Sequence, residues 1–198
     1  MQALLKHAKN FVAKDDRRPY LEGIYFDGKS AYVSDGHVFV KVEHYPVTET
    51  GIFHYKTNKP IETVYPNMDK VIPQQFKTEF VLTSSQIRVW KKALKLALLI
   101  ADKVYHMVEF NSANDQINMR ITNEGTAYRT TLPVTGDRPD FETISLSCKY
   151  LSDIFAFFGD CGASIIRISI NSRLSPILLK TDAGVLAVLA PINPANIR

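Results

Sequence analysis

The sequence predicts an α+β fold built from about three copies of one unit, each a helix followed by short antiparallel strands. Three observations lead there. Apolar residues recur at helical spacing three times, and each stripe is followed by runs rich in Val, Ile, Tyr and Phe. The runs are parted by turn sequences such as Asp27-Gly28 and Asp35-Gly36. The 198 residues are 45% hydrophobic and 22% charged, an ordinary globular balance. At about 150 residues per domain this is one domain or two small ones, and disordered, collagenous and coiled-coil chains are excluded.

The first copy opens with Leu4, Leu5, Ala8, Phe11 and Val12 at i, i+3, i+4 and i+7, and Pro19 closes the helical stretch. Strands are expected at Tyr20–Phe26, Ser30–Ser34 and His37–Val42. In the second copy, Thr83-Ser84-Ser85 caps a helix whose stripe is Ile87, Trp90, Leu94, Ala97, Leu98 and Ala101. Strands follow at Val104–Asn111, Gln116–Asn123 and Thr126–Leu132, with turns at Asn111–Asp115 and Asn123-Glu124-Gly125. The third copy starts near Ser147, with Tyr150, Leu151, Ile154, Phe155 and Phe158 as its stripe and Gly159-Asp160-Cys161-Gly162 as its stop. Its strands are expected at Ser164–Ile170, Ser175–Lys180 and Val185–Ala190. Between the first two copies, a small hairpin (Ile52–Tyr55 with Pro60–Val64) precedes an extended connector, Tyr65–Lys77. The connector suggests two domains, 1–77 and 78–198, the second holding two copies around one core.

The longest apolar run, Leu96–Ala101, is far short of the roughly 20 residues a membrane span needs, so no membrane partner is expected. The lysine-bearing first residues read as a folded helix and not as a targeting segment. Cys148 and Cys161 have neither metal nor CxxC spacing, which favours a reducing, cytoplasmic setting. The net charge of +4 permits nucleic acid as a partner without establishing it. Catalysis finds little support. Ser34, Asp35 and His37 crowd one tight turn, a poor geometry for nucleophile and base, and the other histidines are isolated. No Walker A, GxGxxG, GxSxG or HExxH pattern occurs, so neither a catalytic residue, a metal nor a cofactor is expected.

Five segments carry a resemblance. Arg18-Pro19-Tyr20-Leu21-Glu22-Gly23 followed by Val33-Ser34-Asp35-Gly36-His37-Val38-Phe39 is similar to an R-x-x-L-x-G strand and an A-T-D-G-H-R-L turn. Tyr65-Pro66-Asn67-Met68-Asp69-Lys70-Val71-Ile72-Pro73 is similar to an F-P-x-Y-x-x-V-L-P connector. Leu174-Ser175-Pro176-Ile177 and Ala187–Ile192 are similar to closing strands that end in V-M-P-M-R. In this order they resemble the bacterial sliding clamps, the β subunit family of DNA polymerase III, from about Leu4 to Ile192. That family has three domains; this chain has about one and a half, and the hairpin at 51–64 stands where half a domain is expected.

The resemblance implies helices on one face and strands outside. It implies a processivity factor that holds duplex DNA without sequence preference and tethers a polymerase. A shortened chain would suit a phage or mobile element, and three two-unit chains would make a six-unit homo-oligomeric ring. Other proteins with clamp-binding motifs, and a clamp loader, would be further partners. Candidate DNA-binding residues are Lys6, Lys9, Arg17 and Arg18 around the first helix and Arg88, Lys91, Lys92 and Lys95 on the second, although such stripes are more often plain solvated faces. The family's peptide pocket would draw on Leu21, Ser34, Gly36, His37, Val38, Phe39, Pro73, Ser175, Val188, Ala190, Pro191 and Ile192. The same residues also suit an ordinary core. The alternative function is a clamp-derived adaptor that binds replication or transcription proteins without encircling DNA.

Overall fold

The computed structural model describes residues 2–14, 17–113, 116–136 and 139–197. The acid pair Asp15-Asp16 and the tip of the expected turn at Asn114-Asp115 lie outside the described residues.

Helix α1 (Gln2–His7) runs into a 3-10 turn, Ala8–Asn10, which buries the expected stripe of Leu4, Ala8, Phe11 and Val12 and leaves Leu5 exposed. Pro19–Leu21 is also a 3-10 turn and not the expected start of a strand, because the fixed φ of Pro19 suits a first helical position. Strands β1 (Gly23–Asp27), β2 (Ala31–Ser34) and β3 (Val38–Val42) then form the meander. Asp27 and Asp35 each set a turn by accepting the backbone N–H groups two and three residues on. The small hairpin is β4 (Thr50–His54) and β5 (Pro60–Ile61).

Two strands were not expected: β6 (Thr78–Thr83) and β10 (Ile144–Ser147). β6 alternates buried and half-buried residues over six positions, but it runs directly into a helix cap. β10 has four residues, all buried, too few to display a period. Each leads into a helix, β6 into α2 (Ser84–Ile100) and β10 into α3 (Cys148–Asp160). Thr83 and Ser147 are the caps; the Gln86 side chain accepts the Thr83 N–H at 2.8 Å. After α2 come β7 (Met107–Ala113), β8 (Gln116–Asn123) and β9 (Thr126–Leu132). After α3 come β11 (Ile165–Ile170), β12 (Ile177–Thr181) and β13 (Val185–Leu189).

The two unforeseen strands are exchanged. β6 pairs with β11, the first strand after α3, whereas β10 pairs with β7, the first strand after α2. Each unit completes the other's sheet. The result is a four-stranded sheet, β10-β7-β8-β9, and a nine-stranded sheet, β5-β4-β1-β2-β3-β13-β12-β11-β6. In the larger sheet β4 flanks β1 as β6 flanks β11, so β4-β1-β2-β3 and β6-β11-β12-β13 are equivalent halves meeting at β3 and β13.

The helices lie in contact, α1 on α3 and α3 on α2, and α2 touches strands of both sheets. Core side chains from all three copies form one cluster. Near its centre Trp90 stacks on Phe110 of β7 (5.8 Å), Phe155 of α3 (6.1 Å) and Phe80 of β6 (6.3 Å). Its indole N–H donates to the Pro133 carbonyl at 3.0 Å. A second cluster covers the other face of the large sheet. There Tyr32, Phe39, Leu178, Leu186 and Val188 lie under Tyr65, Met68, Ile72 and Phe76 of the connector.

The α1–α3 contact is partly ionic. Lys6 Nζ and His7 Nε2 both reach Asp160 Oδ2, at 2.6 and 2.8 Å, and the His7 ring packs on Phe157. These two hydrogen bonds, from Lys6 first and His7 second, hold the Asp160 carboxyl at about 2. A depressed carboxyl stabilises the fold above its unfolded value of 3.8 and loses that contribution as pH falls towards about 2. Asp160→Asn is expected to remove this part of the acid-induced fall in Tm between those values. Thermal melts of both proteins across that range check it, and parallel acid limbs would refute it.

Candidate functional site

Two surfaces gather the candidate residues. The first is the exposed side of α2. Its buried side carries Ile87, Trp90, Ala93, Leu94 and Ala97, and this turns Arg88, Lys91, Lys92 and Lys95 outward. Among the described residues none of the four has an ion-pair partner. Lys91 lies on the α3 side, beside Gly159. Leu96 and Leu99 continue the exposed side towards the C-terminal end of the helix.

The cations of the first copy are dispersed. Lys6 is tied to Asp160, although its side chain stays 69% exposed. Lys9 and Lys14 are exposed and without ion-pair partners among the described residues, and Arg17 is exposed. Arg18 sits over the β2–β3 turn, where its Nη2 donates to the Asp35 carbonyl at 3.1 Å. Gly36 makes this possible: its φ is +94°, and a Cβ there would stand 2.5 Å from Arg18 Nη1.

The second surface is a cleft at the β3–β13 joint. Antiparallel pairing sets the residue before β3 beside the residue after β13, and the Ala190 N–H donates to the His37 carbonyl at 2.9 Å. One lobe, about 370 Å³, is walled by His37, Ala190, Pro191 and Ile192, together with Tyr150 and Ser147 from the start of α3. Asn193, Asn196 and Ile197 of the C-terminal segment line it too. A second lobe, about 390 Å³, shares His37, Tyr105 and Tyr150 and extends to Lys9, Lys14 and Lys149.

Asp35 organises the shared wall. Its Oδ1 accepts the N–H groups of His37 and Val38, and its Oδ2 accepts the Tyr150 hydroxyl. Burial and then this carboxylate push the Tyr150 phenol above its ordinary value. The His37 ring stacks on Tyr150 at 6.3 Å with planes 17° apart. The opposite wall, the loop after α2, is pinned by Asp102, whose carboxylate accepts the N–H groups of Val104, Tyr105, His106 and Met107. Burial alone would raise the Asp102 carboxyl; the four N–H groups outweigh it and hold it below the usual range.

The other residues expected in a peptide pocket go elsewhere. Ser34 braces the turn, its Oγ donating to the Val38 carbonyl and accepting from Gly36 N–H. Val38 packs inward in the main core, and Leu21 is buried with its carbonyl bonded to Ala13 N–H. Phe39 and Val188 point to the opposite sheet face, under the connector that carries Pro73. Ser175 bonds Ser172 in the turn before β12. Tyr150, Tyr105 and Lys149 line the cleft without being among the expected residues. Tyr150 reads locally as one more apolar position of a helix stripe, and its partner Asp35 is 115 residues away. A catalytic arrangement does not form at this turn: the Asp35 carboxylate is committed as described, and the His37 ring is 70% exposed. Among the described residues no three of His, Cys, Asp and Glu converge as metal ligands.

No protein-family model and no curated protein matches the chain. Solved structures do. The DNA polymerase III β sliding clamp of Bartonella birtlesii, bound to griselimycin, superposes with a TM-score of 0.81 at 17% identity, covering 97% of this chain and 63% of that one. The β subunit of the DNA polymerase of Streptococcus pyogenes gives 0.82 at 15% identity with the same coverage. The sliding clamp of Bacillus subtilis gives 0.82 at 16%, covering 97% of this chain and 62% of that one. This chain has the sliding-clamp fold. It spans somewhat under two thirds of the clamps it matches. The α+β architecture of helix-plus-strand units is therefore the clamp architecture, in shortened form. No helix of the described clamp-fold residues is long and apolar enough to cross a membrane.

Tyr150→Phe deletes only the hydroxyl that joins α3 to the β2–β3 turn and leaves the Asp35 Oδ2 without its donor. A hydrogen bond to a charged group is worth about 1.5–3 kcal/mol, so the variant is expected to lose about that much stability in urea denaturation. A loss below about 0.5 kcal/mol would mean that this bond does not hold the cleft wall.

Proposed function

We propose that this chain is a non-enzymatic, sliding-clamp-like processivity factor. It associates with duplex DNA through its helix face without reading sequence, and it tethers a DNA polymerase or another clamp-binding protein in the cleft at the β3–β13 joint. Residues 1–77 act as a shortened clamp domain and 78–198 as a complete one, and the protein works as a homo-oligomer. The observation that carries the reading is the row Arg88, Lys91, Lys92 and Lys95, four cations without an ion-pair partner among the described residues, on the outward side of a helix whose inward side is fixed in the core. Lysine and arginine heads on flexible stems attract phosphates without specifying bases, as a mobile contact requires.

Changing all four to Ala is expected to weaken duplex binding and to reduce the slope of log K against log salt by about 3–4, roughly one per cation. Fluorescence titrations at several salt concentrations measure it. An unchanged slope would remove α2 from the DNA contact.

One observation favours the adaptor reading. Among the described residues the four-stranded sheet ends in β9, seven residues with no strand beyond it, whereas one end of the large sheet is β5, only two residues long, and the other is β6, six residues long. Head-to-tail closure of identical chains through β9 and β5 would therefore join edges of unequal length. Light scattering on a sizing column separates the two readings. A closed oligomer retained on circular but not linear DNA supports the clamp, and a monomer that still captures partners supports the adaptor.

A further inference from the structure

We infer that the cleft takes a linear peptide with an apolar anchor flanked by acidic residues, which fit against Lys9 and Lys14. The inference rests on the cleft of the proposed function being a partner site, and it specifies that partner's chemistry. The two lobes share one wall, and their far ends differ in kind. One end is apolar, at Ala190, Pro191 and Ile192. The other presents three lysines, of which Lys149 is paired with Asp153 at 2.8 Å. Lys9 and Lys14 have no ion-pair partner among the described residues. Among the described residues the one carboxylate lining this lobe is Asp35, which already accepts three hydrogen bonds and has little left for a lysine. The lobe also opens at the start of α3, a 13-residue helix whose dipole adds positive potential there.

A peptide fits this arrangement better than a nucleic acid. The apolar lobe carries no cation for a sugar-phosphate chain among the described lining residues. Two rings of the shared wall, His37 and Tyr150, lie against each other and leave no open platform between them for a base.

The test uses the full chain and fluorescence anisotropy with synthetic octapeptides. One carries a Leu-Phe anchor and an Asp-Glu flank. The second keeps the anchor with a Gln-Ser flank, and the third keeps the acids with the anchor changed to Ala. At about 50 mM salt the acidic-flank peptide is expected to bind about five- to tenfold more tightly than the neutral one, the yield of two exposed ion pairs. Lys9→Gln with Lys14→Gln should abolish that advantage and leave the neutral peptide's affinity unchanged. Matching thermal melts verify that the variant is folded. Equal affinity of wild-type protein for acidic and neutral flanks would overturn the inference while leaving the cleft as a peptide site. Failure of both anchored peptides to bind would bring down the cleft reading itself. An oligothymidylate that displaces the acidic peptide at lower concentration, and loses this ability in the double variant, would assign the lysine lobe to nucleic acid and overturn the inference.

Discussion

The pairing of β3 with β13 is the constraint on which the architecture and the cleft both rest. Five residues, Val38–Val42, run antiparallel to Val185–Leu189 and fuse two four-stranded halves into one sheet. The register is fixed from both faces. Val38, Val40, Val185, Ala187 and Leu189 enter the main core, whereas Phe39, Leu186 and Val188 enter the cluster beneath the connector. A slip of one residue would exchange the two sets, so neither face tolerates it. With the register set, the positions just outside the strands follow. His37 must lie beside Ala190, and the chain ends beyond them must diverge around a gap.

Around that gap, half-buried carboxylates do structural work. Asp35 closes the β2–β3 turn with one oxygen and holds Tyr150 with the other, so a local turn signal becomes a tie between the first copy and the third helix. Asp102 binds four consecutive N–H donors and stiffens the facing loop. Among the described residues, Lys9 and Lys14 of the lysine lobe then have no ion-pair partner. The α2 face follows a similar logic. Trp90 is locked among three Phe rings, which fixes the rotation of the helix and therefore the direction in which Arg88, Lys92 and Lys95 point.

Much of the fold was legible because its signals are local. The stripes of α2 and α3, the Asp-Gly turns and the bounds of β8 and β9 are written within windows of a few residues. β10 was not, since four residues carry no period, and the exchange of β6 and β10 between units is invisible to any local pattern. The site divided in the same way. Of the residues the motif resemblance points to, His37, Ala190, Pro191 and Ile192 line one cleft, while Phe39, Val38 and Val188 share their motifs but face elsewhere. Strand alternation sends Phe39 and Val188 under the connector and Val38 into the main core, because neighbours along a strand point to opposite faces.

The sequence by itself determined the repeated helix-and-strand unit, the positions of its turns and the amphipathic character of its helices, since periodicity and turn chemistry are properties of neighbouring residues. Only the tertiary structure decided which strand completes which sheet, that Tyr150 would reach Asp35, and that lysines from the first helical segment would stand at one end of a cleft whose other end is the last strand's exit. These are contacts between residues as much as 150 positions or more apart, such as Ala190 and His37 or Lys6 and Asp160. They are chosen by burial and register over the whole chain, and no short window of sequence contains both partners.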